Sequence, residues 1–177
     1  GQDFRTLLPI TGNEKLELHL FTPGQSELKY IEGETDCLSV YKVDKIRISG
    51  GTGRQQIYRV HFTSREAILN STRRISKAFA GPVENAVYEI MHGEVNGLDT
   101  RKALYLEPTA TNSKIVVPHM KPFRTIKLFA DNAISAKYSN AGYLFYETTQ
   151  GFNFRSFESL MAMSGTTARP VTEAYAI

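Results

Sequence analysis

Apolar and polar positions alternate with a period of two through the first third of the chain. In residues 15–20, Leu16, Leu18 and Leu20 fall on one face and Lys15, Glu17 and His19 on the other, the pattern of a strand with one wet face. A turn at Thr22-Pro23-Gly24-Gln25 closes it. Residues 38–48 form a second strand segment whose faces do not keep one register, which predicts a bulge or bend near Asp44. After the glycine-rich loop Ser49-Gly50-Gly51-Thr52-Gly53, Tyr58, Val60 and Phe62 alternate with Arg59 and His61 in a third strand.

At Thr63 the period lengthens. Thr63-Ser64-Arg65-Glu66 has the form of a capping box, in which the Thr63 hydroxyl and the Glu66 carboxylate satisfy the first unpaired amides. Ile68, Thr72, Ile75 and Phe79 then recur at helical spacing, predicting a helix over 65–80 with Gly81 after it and Pro82 forbidding continuation. Val83, Ala86, Val87, Ile90 and Met91 predict a shorter helix stopped at Gly93. A short strand or linker covers 100–108, and an apolar run over 114–117 ends at Pro118. Pro122 opens a further helix, where its missing N–H is harmless, with Ile126, Phe129, Ala130, Ala133 and Ile134 along one stripe.

Residues 140–163 are the densest aromatic stretch. Residues 143–147 and 152–154 read as two strands of a hairpin joined through Thr148-Thr149-Gln150-Gly151, with Gly151 free to take a positive φ. Ser156 then caps a turn of helix carrying Phe157, Leu160 and Met161.

Strands, then helices, then a hairpin make an α+β class, an antiparallel sheet or partial barrel followed by a helix-containing region. A chain of 177 residues with 41% hydrophobic and 22% charged positions suits one domain or two small ones. Cys37 is the one cysteine, so no intrachain disulfide and no thiolate metal cluster can form. No apolar run approaches the roughly 20 residues of a membrane helix, so no membrane insertion is expected. The net charge of +3 is too weak to argue for nucleic acid without clustering.

Candidate chemistry is sparse. His19, His61, His92 and His119 show no paired spacing, and neither His-Glu-x-x-His nor Cys-x-x-Cys occurs, so no metal or cofactor is expected. A Cys37–His61 nucleophile pair would require neighbouring strands, and nothing local supports one. Gly50-Gly51-Thr52-Gly53-Arg54 lacks the Lys-Ser/Thr ending and the following helix of a phosphate loop. Arg65, Arg73, Arg74 and Lys77 place a basic cluster on the helix over 65–80, which is either a solvated face or a phosphate-binding one.

Three blocks together carry a resemblance. They are Leu8-Pro9-Ile10-Thr11-Gly12 with Glu14 and Phe21-Thr22-Pro23-Gly24; Phe62-Thr63-Ser64-Arg65-Glu66 running on to Ser76-Lys77-Ala78-Phe79; and residues 143–147 with Gly151-Phe152-Asn153-Phe154-Arg155-Ser156. In this order, across residues 7–161, the chain resembles the baseplate hub proteins of contractile-tailed phages related to the T-even group. The resemblance implies a virion protein without enzymatic activity, assembled in the host cytoplasm into the tail baseplate. It implies a homotrimeric ring that joins the sixfold tail tube to the threefold central spike. Its partners would be tail-tube or tube-initiator proteins, the central spike and the baseplate wedge, with no specific nucleic-acid recognition and no cofactor. On this resemblance residues 1–63 are part of a tube-like β domain, 64–163 an outer α+β region and 164–177 a tail or linker. Leu8, Pro9, Ile10, Gly12, Phe152, Phe154 and Arg155 are the implied assembly residues. The rest of the first tube domain and all of the second lie outside these residues, so a fragment of a longer hub is expected. Two rival readings remain, a tail-associated peptidase or muramidase and a nucleic-acid-binding module built on the basic helix.

Overall fold

The computed structural model describes residues 14–21, 23, 28–30, 37–47 and 56–162. The chain divides into two compact units, residues 1–69 and 70–177. The class is α+β, with four helices and several small sheets among the described residues, and no closed barrel among them.

In the first unit, β1 (Lys15–Leu16) pairs antiparallel with β4 (Leu38–Arg47), which pairs antiparallel with β5 (Gln56–Thr63). The strand expected over 15–20 is divided at Glu17: β2 (Leu18–Leu20) leaves that sheet and pairs with β3 (Leu28–Tyr30). The register of the β4–β5 pair shifts between Val40 and Lys42, so the irregularity falls at Tyr41, a little before Asp44. Leu38 and Val40 are buried at one end of this ladder. Helix α1 (Arg65–Thr72) begins after Ser64, whose carbonyl accepts from the amides of Ala67 and Ile68. The helix starts at Arg65 as predicted, but Thr63 stays in β5 opposite Ser39, so Ser64 rather than Thr63 precedes its first turn.

The helix expected over 65–80 is only half present. It stops at Thr72, and Ile75–Pro82 is strand β6, paired antiparallel with β8 (Asn112–Met120). Ile75 and Phe79 are buried while Ser76, Lys77 and Ala78 between them are exposed. A spacing of four is even, so it puts two residues on one face of a strand as well as of a helix. β8 also runs through Pro118 rather than ending there. The ladder slips by one residue between the pairs Lys77↔Val117 and Ile75↔Met120, with His119 at φ 49, and such a bulge tolerates proline.

Helix α2 (Val83–His92) buries Val83, Ala86, Val87, Ile90 and Met91, the stripe its spacing predicted, and ends at Gly93. Helix α3 (Pro122–Asn132) starts with Pro122 at its head and buries Thr125, Ile126, Phe129 and Ala130. The two helices touch, α2 also packing on β6 and α3 on β8. The Phe79 and Phe129 rings meet edge to face, 5.5 Å apart at 86°. The hairpin forms as read, from β9 (Tyr143–Thr148) and β10 (Gly151–Ser156), with a tighter loop of Thr149-Gln150. Strand β7 (Leu104–Leu106) adds parallel to β10, giving the order β7-β10-β9. Phe152 and Phe154 turn inward, and the Phe152 ring lies against Phe145 and Phe123 at 5.6 and 6.5 Å. Ser156 closes the strand and caps α4 (Phe157–Met161), its side chain accepting from the Ser159 amide.

Gly151 shows why the β7–β10 contact needs a glycine. Its φ is 136°, and a Cβ would stand 2.2 Å from the Ala103 carbonyl oxygen.

Candidate functional site

The parallel register sets Leu106 beside Phe154, and the Glu107 amide donates to the Phe154 carbonyl at 2.9 Å. That delivers the Glu107 carboxylate to the end of β10. There Ser156 donates twice, from its amide to Oε2 at 2.7 Å and from its hydroxyl to Oε1 at 2.8 Å. Beyond β7 the chain pairs residues 108–110 with 134–136, the Ala136 amide donating to Pro108 O and the Ala110 amide to Ile134 O. This second pairing brings Ser135, whose hydroxyl donates to Glu107 Oε1 at 2.6 Å. Ser135 and Ser156 are both fully buried. Tyr143, opposite Ser156 across the hairpin, donates from its hydroxyl to Pro108 O at 2.9 Å.

Burial pushes the Glu107 carboxyl up, but the Ser135 hydroxyl and the Ser156 amide and hydroxyl outweigh it and hold the group below the usual carboxylate range. Burial, helped by the charge on Glu107, pushes the Tyr143 phenol up to about 12. Both carboxylate oxygens are already engaged as acceptors from Ser135 and Ser156. The chemistry of the cluster is that of an anchor, locking β7, β10, α4 and the 134–136 segment together. Glu84 does similar work nearby, accepting from the Thr109 amide at 3.1 Å and from its hydroxyl, which in turn accepts from the Val83 amide.

Alongside this anchor lies an open groove of about 640 Å³. Its walls are Leu104, Leu106 and Pro108 on one side and the turn at Ala136-Lys137-Tyr138 on the other, with Arg155 and Ser159 completing it. The Arg155 guanidinium sits over the Tyr105 ring at 5.7 Å and the Lys137 ammonium over the Tyr138 ring at 4.9 Å.

The residues singled out from sequence scatter differently. Leu8, Pro9, Ile10 and Gly12 lie outside the described residues. Phe152 and Phe154 are interior, and Arg155 alone of the three reaches a groove. Phe123 packs on Phe145, its ring 5.6 Å away. The basic cluster is not one helix face. Arg65 is on α1, Arg73 and Arg74 follow it, and Lys77 is on β6, where it pairs with Glu89. The side chain of Arg73 donates to the carbonyls of Glu94 and Gly97. The Cys37–His61 pair is not assembled either. Ser39 stands opposite Thr63 and Lys42 opposite His61, so the two residues are roughly 15 Å apart along the ladder. His61 instead reaches Asp44 at 2.9 Å, and hydrogen bonds from Lys42 and then His61 hold the Asp44 carboxyl below its usual range. Among the described residues no group of three His, Cys, Asp or Glu is placed to hold a metal ion. No described helix is long and apolar enough to cross a membrane.

The described residues of the first unit present a partly exposed apolar surface. Opposed pairs share a face, so Leu38, Val40 and Phe62 begin an apolar face that continues through Val43 and Val60. It is buried on β4 at Leu38 and Val40 but partly open on β5, where Val60 is 38% and Phe62, opposite Val40, 40% exposed. Tyr41, at the register shift, is 56% exposed. β5 is an edge strand among the described residues.

No family model, no curated protein and no solved structure matches the chain.

Proposed function

We propose that this chain is a structural subunit of a phage tail baseplate hub, acting by assembly and carrying no catalytic site. The observation that supports the reading is the β4–β5 ladder, whose eight-residue β5 is an edge strand among the described residues, beside an apolar face on which Val60 and Phe62 are partly exposed. A tube built from partial barrels closes such edges with neighbouring subunits, and the apolar face then becomes interface. The proposed assembly is a homotrimer between tail tube and central spike in the virion baseplate, contacting tube or tube-initiator, spike and wedge proteins. The three sequence blocks that resemble hub proteins support the reading, and the β4–β5 surface supports association as its mode of action.

Electron microscopy of the particle that carries the chain tests this reading. Three copies around an axis continuous with a tube are expected. A chain that stays monomeric and outside any tail particle overturns it. Val60→Lys with Phe62→Lys is expected to abolish assembly while leaving the circular dichroism of the purified chain unchanged.

A further inference from the structure

We propose that the groove beside β7 docks an acidic, extended segment of a partner protein, which adds to the β7-β10-β9 sheet as a fourth strand. The proposal concerns the second unit alone and stands or falls independently of the hub reading.

The backbone supplies the first argument. Tyr105 is paired with Asn153, and the Ala103 carbonyl and Glu107 amide also bond to β10, so the odd-numbered backbone of this stretch faces inward. The even-numbered groups therefore face the other way. At Pro108 and Ala110 they are taken by the antiparallel segment 134–136. That segment leaves the ladder at Ala136, turning through residues 136–138, with Ser139 after the turn at φ 56. Leu104 and Leu106 thus keep outward-facing amides and carbonyls with no partner strand among the described residues, and the groove runs along them. An edge of this kind recognises main chain, and flanking pockets select side chains.

Charge selects the occupant. Arg155 and Lys137 line the groove, each resting on a tyrosine ring and neither paired with a carboxylate among the described residues. The carboxylate that also lines it, Glu107, is already engaged by Ser135 and Ser156. The wall is net positive. Tyr105 and Arg155 share one face of the sheet, while Leu104 and Leu106 share the other with Phe152 and Phe154. An incoming strand alternates in the same way, so acidic side chains on the Tyr105–Arg155 face and apolar ones on the opposite face fit this edge. The free edge runs from Leu104 to Leu106, so about three residues of the incoming segment pair with it, at roughly 3.3 Å each, and the rest lie along the groove.

The test uses the full chain and a fluorescein-labelled peptide of sequence Val-Glu-Val-Glu-Val-Glu, followed by anisotropy. Saturable binding is expected, weakening with salt and falling about tenfold or more in a double variant with Arg155→Glu and Lys137→Glu. The same peptide N-methylated at alternate backbone nitrogens, and a Val-Lys counterpart, are expected not to bind. Hydrogen exchange at the Leu104 and Leu106 amides is expected to be fast in the chain alone and to slow on adding peptide. Absence of binding, equal binding of the lysine peptide, or indifference to N-methylation overturns the proposal, and none of these needs a protein variant. Amides already protected in the dilute chain would mean the chain covers its own edge. Protection that appears only as the chain is concentrated would mean a second copy is the occupant. Either result overturns a separate partner.

Discussion

Removing the Glu107 carboxylate is the most informative perturbation of the second unit. In Glu107→Ala the Ser135 hydroxyl and the hydroxyl and amide of Ser156 lose their acceptor, and both serines are fully buried. A stranded buried donor costs about 1–3 kcal/mol. Hydroxyl rotation and water entering from the adjacent groove relieve part of this, which puts the expected loss near 3 kcal/mol. Glu107→Gln keeps one carbonyl oxygen for the hydroxyls but turns an NH2 towards the Ser156 amide, so about 1–2 kcal/mol is expected. Ser156→Ala removes both a donor to Glu107 and the cap of α4, and its cost is about 1–2 kcal/mol. Combined with Glu107→Ala it should cost less than the sum, because the two changes delete one network.

The pH dependence separates an ionised anchor from simple packing. Glu107 titrates below its ordinary 4.5 in the folded chain, so its contribution is present above that pH and is lost as pH falls through the folded value. Urea denaturation of the wild type and Glu107→Gln, run at neutral pH and in acid below 4.5, should therefore give a stability gap that is largest near neutrality and narrows in acid. A gap that is the same at both pH values, or a Glu107→Ala variant within about 0.5 kcal/mol of wild type, refutes the anchor.

Three further outcomes follow from the same unit. Gly151→Ala forces a residue with a side chain to φ 136 and drives its Cβ onto the Ala103 carbonyl, so thermal unfolding should show a loss of more than about 2 kcal/mol. Tyr143 should be the tyrosine that ionises at about 12 in an ultraviolet titration, absent from Tyr143→Phe. Its folded value lies above the ordinary 10.0, so its contribution is complete below that pH and drains away as pH rises through the folded value. Phe129→Ala opens the contact with Phe79 and should cost about 3–5 kcal/mol in urea denaturation, against under about 0.5 for Val116→Ala on the solvent side of β8.

Legibility from sequence followed locality. α2 was readable because its five buried residues repeat at three and four, and α3 because Pro122 marks its first turn. The hairpin was readable because its two aromatic strands are adjacent in sequence, joined by a short polar turn whose glycine takes a positive φ. β6 was not. Ile75 and Phe79 satisfy either period, and what decides between them is β8, more than thirty residues downstream. The Glu107 cluster was invisible for the same reason. Its serines lie 28 and 49 positions away, joined only by a parallel strand pairing and an isolated bridge. A single glutamate among leucines and prolines, at Leu104-Tyr105-Leu106-Glu107-Pro108, was the one faint signal.

The β5 and β7 edges differ in a way that bears on what each is for. β5 lies beside an apolar face, and an exposed apolar edge is an aggregation hazard unless a permanent partner covers it. Burial of that kind suits an obligate contact, whose strength scales with area and responds little to salt. The β7 edge is flanked instead by Arg155 and Lys137, charges that discourage indiscriminate strand pairing while remaining available to an acidic one. A contact built this way forms quickly and weakens with ionic strength. On the assembly reading, then, raising salt should release what docks at β7 while leaving the association through β5 intact. The opposite order of release would place the obligate interface on the second unit instead.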